Sequence, residues 1–304
     1  MSVFRNIFLF VALCLSMAVT PARAEPLVPF ILGNTPAGDM NTVATAVKTA
    51  LTAQGFEVVG GYAPYPQAIV IVATHADLKA AALKAKNGGF GVAQRVAVTD
   101  VKGKLQVSYV NPAYLGTAYG LGRLETIGAK LKAALGAVKE FGAGGLEPED
   151  LAPGKYHYAI GMPYFHNIDV LAKHADFQTA VDTVEKNLAA GKGGTKKVYR
   201  VDLAKETSVF GVGIVTGDGL DSGDKDTDKE VMDIVDFQNE RSTAYLPYEL
   251  MVEGGRIIAL RGRYRIAVHF PDTSMMGERG FTKIMSAPGG IKRALTLVAG
   301  GVTE

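Results

Sequence analysis

The chain has 304 residues, a formal charge of +2, 48% hydrophobic residues and one cysteine. Near-neutrality excludes a general electrostatic pull toward nucleic acid or anionic lipid, which needs a basic excess. One cysteine excludes an internal disulfide framework.

The first residues read as an export leader: Arg5 as the positive n-region, an apolar run from Ile7 to Val19, and Ala22-Arg23-Ala24 as a small-x-small cleavage site. Cleavage after Ala24 and a periplasmic location are expected. The run is shorter than the ~20 residues a membrane-spanning helix needs, and no later run is longer, so no transmembrane segment is expected in the mature chain. Cys14 sits inside the run with Leu13 before it, which argues against a lipoprotein cysteine. Removing Arg5, Arg23 and Cys14 turns 32 bases against 30 acids into 30 against 30 and leaves no thiol. A thiolate nucleophile and a Cys-ligated metal are thereby excluded. About 280 remaining residues suit two domains of ~140 better than one.

In the first half, Asp39 or Asn41 can cap a helix with Val43, Val47, Ala50 and Leu51 on its apolar face, stopped at Gly55. Strands over Phe56–Tyr62 and Ala68–Ala73, a helix over Ala76–Lys86 and a hairpin of Val92–Thr99 with Leu105–Val110 follow. Leu124, Ile127, Leu131, Leu135 and Val138 recur at helical spacing. Gly, Pro and acids crowd Phe141–Lys155, which reads as a linker over 142–155 between domains at 25–141 and 156–304. Tyr156–Tyr164 reads as strand-like. Asp176 can cap a helix carrying Phe177, Ala180, Val181, Val184 and Leu188. Strands over Lys197–Leu203 and Val209–Val215 follow, then an acidic insertion over 218–230 and a hairpin through Glu253-Gly254-Gly255 into Arg263–Phe270. The expected class is α+β, two similar layers of helices on a mainly antiparallel sheet. Thr45–Thr49 echoes Thr179–Thr183, and Lys102-Gly103-Lys104 echoes Arg261-Gly262-Arg263, which suggests an internal duplication. Two unrelated domains with chance matches are the alternative.

The run Gly103-Lys104-Leu105-Gln106-Val107-Ser108-Tyr109-Val110-Asn111-Pro112-Ala113-Tyr114-Leu115 resembles the signature end of the family of unknown function numbered 302. Leu246-Pro247-Tyr248-Glu249-Leu250 is similar to that family's Leu-Pro strand. The chain departs from the pattern at Ala73-Thr74-His75, where members carry Gly-Asn-Pro. The resemblance implies a compact α+β fold that pairs into dimers, so two copies in one chain would form a pseudo-dimer, with a homodimer as the other option. It implies no reaction.

Candidate chemistry is sparse. Arg261, Arg263, Arg265 and His269 would line one face of a continuous strand and clamp an oxyanion. Tyr109, Asn111 and Tyr114 follow the first hairpin and could wall a ligand. His157, His166 and His174, with Met162 among them, would suit copper, although their spacing matches neither a helical nor a strand pair. Asp224, Asp226 and Asp228 alternate as calcium ligands would, but the EF-hand register fails. The bland readings are surface histidines and a solvated acidic loop. No cofactor is firmly implied, and no nucleophile elbow, phosphate loop or metalloprotease motif is present. The expectation is an exported binding or accessory protein for a small anion or a periplasmic protein partner, more a binder than an enzyme. The rival is a metal-dependent or cofactor-independent enzyme using the histidines.

Overall fold

The computed structural model describes residues 25–204, 206–216 and 226–303. Residues 1–24, where the leader is expected, and residues 217–225, with Asp224 and most of the expected acidic insertion, lie outside them.

The fold is α+β. A short strand β1 (Phe30–Leu32) leads to helix α1 (Met40–Ala53). The Asp39 carboxylate caps this helix, accepting the Thr42 amide at 2.8 Å; such a cap satisfies an amide that the first turn leaves without a partner. The hairpin of β2 (Glu57–Tyr62) and β3 (Ala68–Thr74) is followed by α2 (Ala76–Ala82) and a 3-10 turn at Gly88–Gly91. A second hairpin, β4 (Ala93–Val101) and β5 (Lys104–Val110), runs into α3 (Pro112–Ala118), α4 (Glu125–Leu135) and β6 (Lys139–Phe141). Gly136, at φ 76°, takes the positive-φ step that ends α4, a conformation open to glycine.

Inside the predicted linker the chain forms α5 (Pro148–Leu151), and Leu146 pairs back onto Leu27. The second half runs β7 (Ile168–Lys173), α6 (Phe177–Ala189), β8 (Thr195–Leu203), β9 (Thr207–Ile214) and α7 (Asp228–Val235). A 3-10 turn at Thr243–Tyr245 leads to the hairpin of β10 (Tyr248–Glu253) and β11 (Arg256–Leu260), then to α8 (Gly262–Ala267) and α9 (Ala287–Ala299). Asp176 caps α6 as Asp39 caps α1, accepting the Thr179 amide at 2.7 Å.

Three expectations are corrected. Tyr156–Tyr164 forms turns, not a strand, because its tyrosines tie to other segments: Tyr156 Oη donates to the Ala267 carbonyl at 2.9 Å and Tyr158 Oη to that of Thr273 at 2.7 Å. Arg263–Phe270 is not a strand; β11 stops at Leu260 and α8 takes over. Arg265/His269 and Tyr264/Val268 recur every four residues, and this helical period prevails over the alternation of the arginines. The Lys102–Lys104 echo joins unequal positions. Lys102 and Gly103 turn the β4–β5 hairpin, whose counterpart is Gly254-Gly255, whereas Arg261–Arg263 joins β11 to α8.

The eleven strands of the described residues join one antiparallel sheet in the order β6-β1-β5-β4-β3-β2-β8-β9-β10-β11-β7. On one face Ile71, Ala73, Val96 and Val98 pack with Val47 and Leu51 of α1 and Leu131 of α4. Val70, Val72 and Ala97 point the other way into a second core that spans both halves. Strands buried on both faces carry apolar residues without alternation, as these do. The helices α6 and α9 pack on each other and on strands of the second half.

Arg95 of β4 forms an ion pair with Glu249 of β10 at 2.5 Å, although four strands separate them in the sheet. Laid flat, those two strands would stand about 24 Å apart. The sheet therefore curls until its inner face closes on itself. Each half also covers the other: the Gly88–Gly91 turn packs on β9 and β10, and the Thr243–Tyr245 turn packs on β3, β4 and β5.

The two halves meet where β2 pairs with β8 through Gly60 opposite Tyr199. A Cβ on Gly60 would stand 2.0 Å from the Val198 carbonyl oxygen, a backbone atom that cannot swing aside. Gly60→Ala is expected to destabilise the protein by roughly 1–3 kcal/mol. Gly128, inside α4 with nothing near its Cβ position, is the control; there alanine should stabilise by up to about 1 kcal/mol. Urea titrations of both variants check this, and equal midpoints would remove the seam argument.

Candidate functional site

The arginine stripe divides once α8 replaces the expected strand. Arg261, 53% exposed, lies 3.7 Å from Asp169. Arg265 and His269 turn inward and are buried. Arg263 points out on the opposite side of the helix, and among the described residues it makes no ion pair or hydrogen bond.

The inward pair belongs to a charged centre at the middle of the curled sheet. Glu249 accepts from Arg95 Nη1 at 2.5 Å and from Arg265 Nε at 2.9 Å. Arg95 Nε donates to the Ala244 carbonyl, and Arg265 Nη2 donates to those of Tyr245 and Pro247. Arg265 also stacks over the Tyr245 ring at 4.5 Å. Two guanidinium groups thus share one carboxylate, and backbone carbonyls and a π-face accommodate the excess cation. Burial and the neighbouring Arg265 hold Arg95 below its ordinary value; Arg265 is also opposed by burial, but the Glu249 carboxylate outweighs this and raises it.

His269 completes the centre, with Nε2 3.0 Å from Arg95 Nη2 and Nδ1 3.1 Å from the Arg265 carbonyl. Burial, then Arg265 and Arg95, push its pKa well below the ordinary value, so it is neutral. Its partners assign the proton to Nδ1, leaving Nε2 to accept from Arg95. Sequence reasoning paired neither Arg95 nor Glu249 with this group. Arg95 is 154 residues from Glu249, and nothing local signals the contact.

The other candidates are scattered. Tyr109 Oη donates to the Gly136 carbonyl beneath α4, the Asn111 side chain caps α3 on the Ala113 amide, and Tyr114 Oη donates to the Val268 carbonyl. All three are buried framework contacts. His157 and His166 flank the Tyr164 ring with centroids at 4.6 and 5.5 Å, while His174 Nε2 lies apart, 2.9 Å from the Ala299 carbonyl. Asp226 is bound by Arg293 at 3.3 Å, whereas Asp228 accepts from Tyr62 Oη and the Ile214 amide. Among the described residues no three His, Cys, Asp or Glu side chains converge to hold a metal ion.

Two of the cavities bear on the candidates, one because it joins the halves and one because it holds Arg263. A cleft of about 890 Å³ opens where β6 of the first half meets residues 235–242 and 270–279 of the second. Glu140, Asp236, Glu240, Asp272 and Glu278 line it against Lys139 and Arg279. Lys139 pairs with Glu240 across the halves at 2.6 Å, and Arg279 sits over the Phe237 ring. Burial pushes the Asp236 carboxyl up to about 6, against hydrogen bonds from the Ser242 amide and Thr243. This acidic lining disfavours an anion.

The second cavity, about 210 Å³, lies between α8, the start of α9 and the loop that joins them. Met162, Ile266, Met275, Phe281, Ile284 and Met285 form most of its wall, and among the described residues Arg263 is the one charged residue that lines it. Tyr158 fixes the loop, donating to the Thr273 carbonyl and meeting the Phe281 ring edge-on at 5.0 Å. Backbone bonds from Phe281 to Ser274 and from Thr282 to Met275 hold the loop's own shape.

Comparison of the chain with protein-family models, curated proteins and solved structures returns no match.

Proposed function

We propose that this is an exported, periplasmic binding or accessory protein whose ligand is a small organic anion seated at Arg263. The observation that carries the reading is one exposed guanidinium, without an ion pair among the described residues, on the wall of an otherwise apolar cavity. A cation beside apolar surface is complementary to a negative head on an apolar body. Glu249 and His269, an acid and a base held by the same two arginines, are sealed in the core, which favours a binding role over catalysis. Both halves follow the order helix, two strands, helix, two strands, helix, and each covers the other's sheet. We read them as copies of one unit, related to the family numbered 302 and joined as a pseudo-dimer.

The test is a thermal-shift and calorimetric panel of sulfate, phosphate and small carboxylates against wild type and Arg263→Ala. At least one anion should raise the Tm by mass action. Arg263→Ala should weaken its binding by about ten- to a hundred-fold, the loss of a charge-assisted hydrogen bond. No response to any anion, or equal binding by the variant, would end this reading.

A further inference from the structure

Resting on that reading, we infer that the ligand is a short- to medium-chain monocarboxylate, its carboxylate on Arg263 and its chain held against buried Ile266 and Ile284 with Met162, Met275 and Met285 over it. Three features of the cavity lead there. Arg263 is exposed at the rim while Ile266 and Ile284 are buried, so the charge stands at the mouth and the apolar wall lies within. An inorganic oxyanion would use the guanidinium and leave the apolar space unfilled. A neutral hydrocarbon would fill the space and forgo the cation.

The lining is also of an unusual kind. Met232 and Met251 are packed in the core at 2% and 1% exposure, whereas Met275 and Met285 are exposed at 46% and 71%. The latter two contribute little core packing and face the cavity. Flexible thioethers conform to an aliphatic chain better than branched side chains do.

Size limits the chain. Taking ~30 Å³ for each heavy atom, about the share of one liquid water, the 210 Å³ of the cavity accepts roughly seven atoms. That corresponds to a chain of about six carbons with the carboxylate at the lip.

Calorimetry of the full chain with acetate, butanoate, hexanoate, octanoate, decanoate, hexanol and sulfate tests this, in wild type, Arg263→Ala and Met285→Glu. Met285 is exposed, so its change does not endanger folding. Affinity should rise roughly four-fold per methylene, the value of a buried CH₂, up to hexanoate or octanoate, then level off. Arg263→Ala should weaken every acid at least ten-fold and leave hexanol unchanged, and Met285→Glu should weaken hexanoate at least ten-fold. If acetate or sulfate binds as tightly as hexanoate while Arg263→Ala still abolishes binding, the anion seat stands and the chain inference is overturned. If affinity keeps rising through decanoate, the size limit is wrong and with it the placing of the chain. If Arg263→Ala leaves every acid unchanged, the anion reading falls as well.

Discussion

Glu249→Gln is expected to destabilise the protein by about 3–5 kcal/mol, the consequence of leaving buried charge without its partner. The side chain keeps its shape, loses its charge and carries an N–H donor in place of one acceptor oxygen. In the wild type, one carboxylate serves Arg95 and Arg265, both buried, and the surplus cation rests on the carbonyls of Ala244, Tyr245 and Pro247. Without Glu249 those carbonyls would have two cations to hold, and a glutamine amide supplies one weak acceptor where two carboxylate oxygens stood. Adding Arg265→Met to Glu249→Gln removes one of the two stranded cations and should recover part of the loss. A double-mutant cycle should therefore show coupling well outside additivity. Chemical denaturation of the three variants measures this. A Glu249→Gln variant within about 1 kcal/mol of wild type would mean that water reaches the centre and solvates it.

That centre also marks the limit of what the sequence discloses. Asp39 and Asp176 were readable as caps because a cap depends on residues three positions away. The β4–β5 hairpin was readable because Lys102-Gly103 separates two β-branched runs, whereas the strand expected after Gly254-Gly255 at Arg263–Phe270 lies at Arg256–Leu260. Arg95 is different in kind. It alternates with Val96 and Val98 along β4, which suggests an outward, solvated side chain, but the curled sheet turns that face inward toward Glu249. Seam, curl and charge centre all depend on the pairing of β2 with β8, a contact between residues far apart in the chain. The arginine stripe failed for a local reason. Two periods coexist in Arg261–His269, and the alternating one is visible first, but only the four-residue period puts Arg265 with His269 and Arg263 on the cavity. The apolar cavity itself joins Met162 to residues more than a hundred positions later, so no spacing rule announces it.

Asp228→Asn is expected to leave stability nearly unchanged at pH 4 and to raise it by up to about 4 kcal/mol at pH 8, taking 1.36 kcal/mol for each unit of pKa change. Asp228 is fully buried at the start of α7, accepts from Tyr62 Oη at 2.5 Å and from the Ile214 amide at 3.1 Å, and among the described residues has no partner for Oδ1. Burial pushes its carboxyl from 3.8 up to about 7, while the Tyr62 and Ile214 hydrogen bonds pull in the opposite direction. The folded protein therefore holds this proton more tightly than the unfolded chain does. Its contribution is fully present below pH 3.8, where both states are protonated, and is lost as pH rises through about 7, where the folded state ionises too. Asparagine imitates the protonated acid: its oxygen still accepts from Tyr62 and Ile214, and its amide occupies the place of the unpartnered hydroxyl. Asp236, pushed up to about 6, acts in the same direction as Asp228. His269, held neutral well below its ordinary pKa, acts oppositely and removes stability as pH falls below 6.5. Both are common to wild type and variant, so subtracting one pH–stability profile from the other isolates Asp228. A difference that is flat from pH 4 to pH 8 would show that Asp228 ionises in the folded protein as easily as in the unfolded chain, and the closed, dry seam around Tyr62 would have to be abandoned.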